Sequence, residues 1–174
     1  LYLILCICSF IIFFDIPDFL YKSFTAIFIV ALLGFIDDKF ILNRRIRLIS
    51  QFAISIFLIY LGFEISYINL SQNYILELGT FSSIITILFF ISLMNAYNFY
   101  DGFDGQLSIN MFLVLFFLYY YEILNYEYNF LIINLAVIYS IFFTFNLFSK
   151  KFKSFLGDSG SLTSGLILSI IIID

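Results

Sequence analysis

Apolar residues fall in long blocks along this chain, at about 1–14, 20–36, 48–63, 81–97, 107–124, 130–148 and 161–173. Hydrophobicity inside the blocks does not alternate every second residue, as a barrel strand would require, so the blocks predict helices. A membrane-crossing helix needs roughly 17–25 apolar residues. Several blocks are shorter, so their helices must extend into the flanking polar segments. The prediction is an all-α, polytopic transmembrane helix bundle of about seven spans, the first cut short.

The polar connections alternate between two kinds. "DIPD" at 15–18, "EISYINLSQNYILELGT" at 64–80 and "EILNYEYN" at 122–129 form one set. "DDKFILNRRIR" at 37–47, "NFYDGFDGQLS" at 98–108 and "SKKFKSFLGDSGS" at 149–161 form the other. Seven consecutive spans put all of the second set on one membrane face. Lys39, Arg44, Arg45, Arg47, Lys150, Lys151 and Lys153 lie there, against Lys22 alone on the opposite face. Short loops rich in Lys and Arg stay in the cytoplasm, so the second face is read as cytoplasmic. The 64–80 connection alternates enough to form a short hairpin or an amphipathic stretch.

Composition agrees. The chain is 63% hydrophobic and 11% charged, with a mean hydropathy of +1.09, whereas soluble domains carry roughly 25% charged residues. A water-soluble fold of this size could not hide so much apolar surface. The net charge of −4 matters less than where the charges sit. Cys6 and Cys8 are spaced too closely for an ordinary disulfide, and without any His they suggest packing residues and not a metal site.

The five acidic residues of the cytoplasmic face are gathered, not scattered: Asp37-Asp38, Asp101 and Asp104 in "DGFDG", and Asp158 in "GDSGS". Adjacent carboxylates repel unless a cation or proton is shared. Asn98, Asp101 and Asp104 are spaced i, i+3, i+6, so a helix running through all three would point them to one side. "GDSGS" can open a helix, with Asp158 or Ser159 as N-cap and free N–H groups suited to a phosphate. Hard oxygen ligands, N–H donors and lysines at a membrane surface suit a magnesium–diphosphate site, since Mg²⁺ takes one or two carboxylates with phosphate and water. The rival from another class is an ion- or proton-coupled transporter, because intramembrane acids also mark ion pathways.

"GFIDDKF", "NAYNFYDGFDG" and "FLGDSGSL" resemble the three cytoplasmic motifs of the polyprenyl-phosphate N-acetylhexosamine-1-phosphate transferases, in that family's order and over nearly the whole chain. The resemblance implies a single integral-membrane catalytic domain over 1–174, in a bacterial inner membrane, with its active site facing the cytoplasm. It implies transfer of a sugar-1-phosphate from a UDP-N-acetylhexosamine to undecaprenyl or another polyprenyl phosphate, with release of UMP. The partners are those two substrates and membrane lipid, with a homodimer allowed and no nucleic acid. Carried over by motif, Asp37, Asp38 and Asp101 are the catalytic candidates, the aspartate pair lying near the lipid phosphate. Asn98, Asp104 and Gly157 are substrate-binding candidates, Asp104 on the uracil side. Asp158, helped by Asn98, would bind Mg²⁺, with Mn²⁺ the alternative ion.

This chain also departs from the family pattern. Gln106 follows "DGFDG" where relatives carry an apolar residue, Thr163-Ser164 follow "GDSGSL", and no His is present. The expectation is a fragment lacking N-terminal helices and a C-terminal part. The style of the motifs places it nearer the initiators of surface polysaccharides (O-antigen-like) than the peptidoglycan phospho-MurNAc-pentapeptide transferase, with UDP-GlcNAc the default donor.

Overall fold

The computed structural model describes residues 18–71, 74–121, 126–148 and 154–174. The first apolar block, with Cys6 and Cys8, and the lysines at 150, 151 and 153 lie outside the described residues. The other six blocks are helical. These are α1 (Asp18–Phe40), α2 (Arg44–Tyr60), α3 (Ser82–Asp101), α4 (Gln106–Tyr120), α5 (Tyr126–Phe143) and α6 (Gly157–Ile173). A 3-10 turn, Gly79–Phe81, leads into α3, and a π-helical turn, Thr144–Phe148, extends α5. Gly79–Asp101 and Leu131–Phe148 are long and apolar enough to cross a membrane by themselves, while α4 and α6 are shorter apolar helices.

The distribution of side chains is that of a protein solvated by lipid. Phe28, Ile29, Leu32, Phe35, Ile36, Phe52, Ile56, Ile84 and Leu88 face outward. Ser23, Gln51, Ser55, Thr86, Ser161, Thr163 and Ser164 are buried. Lipid tails are as apolar as Leu, so helices in a membrane associate through close packing of small residues and internal hydrogen bonds. The buried hydroxyls are satisfied by carbonyls of the preceding turn: Ser55 by Gln51 at 2.8 Å, Thr163 by Ser159 at 2.6 Å and Ser164 by Gly160 at 2.7 Å.

The chain forms two compact units, one of Asp18–Asn98 with Gly157–Asp174 and the other containing Phe99–Leu156. In the first, α1 packs along both α6 and α2. Gly34 lets α1 approach the α6 backbone at Ser159, and a Cβ added at Gly165 would stand 2.5 Å from the Leu93 carbonyl oxygen of α3. Close backbone contact at these two glycines brings the ends of the three helices together. In the second unit α4 packs against α5.

Three residues join α1 to α2. Ile41 takes a positive φ of 52° and its N–H bonds the Asp37 carbonyl at 2.8 Å, ending α1. The Asn43 side chain then caps α2 by accepting from the Arg45 N–H at 3.1 Å. Segment 64–80 resolves as the hairpin alternative: β1 (Tyr67–Ser71) pairs antiparallel with β2 (Tyr74–Glu77). Its base is tied to α3, where the Ser82 hydroxyl donates to the Ile65 carbonyl at 2.7 Å and the Ile65 N–H donates to Thr86 Oγ1 at 2.9 Å.

Two local expectations change. Asp37 and Asp38 sit within the last turn and a half of α1, not in a loop, because the helix runs past its apolar block to Phe40. The helix through Asn98 and Asp101 does not reach Asp104. Gly102 and Phe103 bond back to the Phe99 and Tyr100 carbonyls at 3.2 and 3.1 Å, and Gly105 at φ 72° starts α4 afresh. A left-handed turn at that point suits only glycine at low cost.

Candidate functional site

In the first unit, four helix ends bring together Asp37 and Asp38 from α1, Arg47 from α2, Asn98 from α3, and Asp158 and Ser161 from α6. Residues from the three sequence motifs thus meet within a few ångströms, although 120 residues separate Asp38 from Asp158.

The three aspartates are held differently. Asp37 is buried and committed at both oxygens: Oδ1 accepts from the Leu42 N–H at 2.7 Å, and Oδ2 accepts from Arg47 Nη1 at 3.1 Å. Asp38 is exposed and turned toward α6, accepting from the backbone N–H groups of Asp158 at 2.8 Å and Ser159 at 3.2 Å. It thereby caps the positive end of that helix. The phosphate site expected at this N-terminus is therefore taken by a carboxylate. Neither Asp158 nor Ser159 serves as the N-cap, because the helix already begins at Gly157.

Asp158 is the most open of the acids bonded to Arg47, its side chain 29% exposed against 5% for Asp37. Its Oδ1 accepts from Asn98 Nδ2, and its Oδ2 lies 3.5 Å from Arg47 Nη1. Asn98 Nδ2 also reaches Ser161 Oγ at 3.0 Å, and that hydroxyl donates to the Gly157 carbonyl at 2.8 Å. With its nitrogen toward Asp158, Asn98 acts here as a donor that orients the carboxylate. Gly157 has φ 70°, and a Cβ there would stand 2.8 Å from Asp38 Oδ2, so the tight approach of Asp38 needs glycine.

Arg47 was not anticipated as part of this site; its charge fitted the topology rule equally well. It is the cation within salt-bridge range of both Asp37 and Asp158. One turn further along the same two helices, Gln51 of α2 faces Asn95 of α3. Asn95 Nδ2 donates to Gln51 Oε1 at 2.8 Å. Arg47, Gln51, Asn95 and Asn98 thus form a polar seam leading to Asp158 on the facing sides of α2 and α3, at i, i+4 and i, i+3 spacing.

Arg47 faces two carboxylates, Asp37 and Asp158, with Asp38 beside them, so acids outnumber the cation, and like charges so close are relieved by a shared proton or a further cation. No group of three acidic, His or Cys side chains is clustered tightly enough to cage a metal among the described residues. Mg²⁺ does not need such a cage, since it completes its shell with phosphate oxygens and water. The donor set fits Mg²⁺ in that sense, with Asp158 the more open of the two carboxylates at Arg47.

The other unit holds Asp101 and Asp104. Asp101 Oδ1 accepts from the Leu156 N–H at 3.1 Å, which braces the "DGFDG" turn against the segment entering "GDSGS". Asp104 is exposed. A second brace comes from Asn146, which the sequence reading missed. Its Oδ1 accepts from the Gly105 N–H at 2.6 Å, and its Nδ2 donates to the Ser154 carbonyl at 2.8 Å. Asn146 is buried within the π-helical turn, a distortion often found at functional sites. A lone Asn inside an apolar block is the only signal the sequence offers for it.

Comparison with known proteins gives a family and relatives for this chain. Relatives include a phospho-N-acetylmuramoyl-pentapeptide-transferase of Lactococcus lactis subsp. cremoris, 33% identical over 153 residues, covering 81% of this chain and 46% of the relative. A probable undecaprenyl-phosphate N-acetylglucosaminyl 1-phosphate transferase of Bacillus subtilis is 29% identical over 148 residues, covering 83% of this chain and 40% of the relative. The chain spans less than half the length of these curated relatives. No solved structure matches it. The profile of glycosyl transferase family 4 covers residues 20–174 and so takes in Asp37, Asp38, Asn98 and Asp158 together; the chain belongs to that family.

Proposed function

We propose that this membrane-integral chain carries catalytic machinery of a polyprenyl-phosphate sugar-1-phosphate transferase. The observation that supports this most is the meeting of Asp37, Asp38, Arg47, Asn98 and Asp158 at one end of the helices. In the proposed reaction an oxygen of the lipid phosphate attacks the β-phosphorus of a UDP-N-acetylhexosamine. The bond from that phosphorus to the bridging oxygen breaks, UMP leaves with the electron pair, and a polyprenyl-diphospho-sugar stays in the bilayer. Asp158 would hold Mg²⁺, which would offset charge on the diphosphate and on departing UMP. Asn98 and Arg47 orient the Asp158 carboxylate. Asp38 keeps the start of α6 in place, and Asp37 keeps Arg47 in place.

UDP-GlcNAc is the proposed donor and undecaprenyl phosphate the acceptor, in agreement with the name of the Bacillus relative. We place the reaction at the cytoplasmic face of a bacterial inner membrane, following the basic loops. The Lactococcus relative favours a second reading, with a muramoyl-pentapeptide donor. Both are tested by measuring UMP release from each UDP-sugar with the full-length protein in detergent, with undecaprenyl phosphate, in Mg²⁺ and in EDTA, beside Asp158→Asn. Release that needs lipid, metal and Asp158 supports the reaction class, and the donor that works chooses between the readings. Folded protein that releases no UMP from either donor sinks both.

A further inference from the structure

We propose that one face of the β1–β2 hairpin is a membrane anchor that lies in the lipid headgroup–acyl boundary, on the side of the bilayer opposite the aspartate site. The pairing register, Ile68 with Leu76 and Asn69 with Ile75, divides the hairpin into two faces. One carries Tyr67, Asn69, Ile75 and Glu77. Of these, Tyr67, Ile75 and Glu77 line a cavity of about 480 Å³ together with Glu64, Ser66 and Ser82. The other carries Ile68, Leu70, Tyr74 and Leu76, all exposed; the first face is exposed too, at Tyr67 (57%) and Ile75 (60%), but mixes these with Asn69 and Glu77, whereas the second is apolar or aromatic throughout. The register shifts between Asn69 and Ser71, at Leu70.

Three further observations choose lipid as the occupant. No charged residue occurs between Glu64 and Glu77, an uncharged stretch of twelve residues that a loop standing in water would not need. Glu77 is followed two residues later by the span Gly79–Asp101, so the hairpin starts where the bilayer ends. The helix residues that flank it in sequence are also apolar or aromatic and exposed: Phe57 and Tyr60 of α2, and Phe81, Ile84 and Leu88 before and along α3. A two-stranded hairpin in water is marginal by itself, and bare apolar strands are an aggregation hazard. Laid flat on the bilayer, Tyr74 takes the place that interfacial Tyr and Trp occupy in membrane proteins, with Leu70 and Leu76 below it.

The chain contains no Trp, so a single introduced indole reports its own surroundings. Leu70→Trp and Tyr74→Trp place it on the proposed anchor face, and Asn69→Trp on the opposite face. Each variant is reconstituted in nanodiscs with ordinary or brominated phospholipid, and folding is checked by circular dichroism. The expected result is loss of most emission in brominated lipid for Leu70→Trp and Tyr74→Trp, with little loss for Asn69→Trp. Absence of quenching at both anchor positions overturns the proposal. Red emission there would then mean water, and blue emission a protein occupant such as a second copy. Equal quenching at all three positions also overturns it, because the hairpin would then have no lipid-facing side.

Discussion

Asp38 caps the helix that begins at Gly157, accepting the backbone N–H of Asp158 at 2.8 Å across 120 residues of sequence. With the Ser159 N–H at 3.2 Å, it ties the start of α6 to the end of α1.

Removing this cap is expected to weaken the fold modestly and the site severely. Asp38→Ala should lower stability by about 1 kcal/mol, the usual worth of an N-cap acceptor. Asp38→Asn keeps an acceptor and should lose less. Thermal unfolding in detergent, followed by circular dichroism, checks the order of the two variants.

Arg47 balances Asp37 and Asp158, so Arg47→Met leaves those two carboxylates without their cation. Its melting temperature is expected to fall in EDTA and to recover in Mg²⁺ by more than that of the parent protein. UMP release should drop at least about tenfold, the equivalent of about 1.4 kcal/mol in the barrier. Asp158→Asn should abolish the extra recovery in Mg²⁺. Equal recovery with and without Asp158 would show that the ion binds elsewhere.

Gly34 and Gly165 allow backbones to touch, and backbone atoms cannot move aside as a side-chain tip can. Gly34→Ala and Gly165→Ala are each expected to cost roughly 1–3 kcal/mol, typical of overpacking. Both should reduce the yield of monodisperse protein in size-exclusion chromatography.

Ile41 ends α1 with φ 52°, where a β-branched side chain is strained and glycine is not. Ile41→Gly should therefore raise stability, by up to about 1 kcal/mol. Urea titration of the purified protein would show the gain as a higher midpoint with an unchanged slope.

Glu64 is held below the ordinary carboxylate value of 4.5 chiefly by the Ser83 hydroxyl, which donates to it at 2.6 Å, and also by Ser82. A lowered folded value means this contribution is present above about 4.5 and is lost as pH falls through the folded value. Ser83→Ala is expected to move the Glu64 titration upward, read from its side-chain carbon resonance, and to reduce the difference in hairpin stability between neutral and acid pH.

The helices were legible because the apolar residues come in blocks without strand alternation; α3 and its lead-in, Gly79–Asp101, are a clear case, long enough to span by themselves. The motif residues were legible because acids are so rare in this chain that their gathering at 37–38, 101–104 and 158 stands out. Their division of labour was not. Whether a carboxylate caps a helix, braces a loop or stays open depends on partners far away in sequence, as with Asp38 and Asp158. Arg47 was hidden because its sequence neighbours Arg44 and Arg45 explain the same charge run while lying exposed. Asn146 was hidden because its bonds to Gly105 and Ser154 depend on a π-helical turn that no local pattern announces. The break before Asp104 could have been read from Gly102 and Gly105, had the i, i+3, i+6 spacing been given less weight.

The cap from Asp38 to α6 also sets an order of events during synthesis. The ribosome makes α1 first, and Asp38 then waits for 120 more residues before its donors exist. During that interval a carboxylate pair stands at the water boundary of a half-built protein, held only by groups from nearby sequence such as Leu42 and Arg47. When Gly157 to Ser161 arrive, Asp38 gains its donors and Asp158 joins Arg47 and Asn98 at the same place. The site is thus absent from every shorter nascent chain, and an interrupted translation product would occupy the membrane without assembling it.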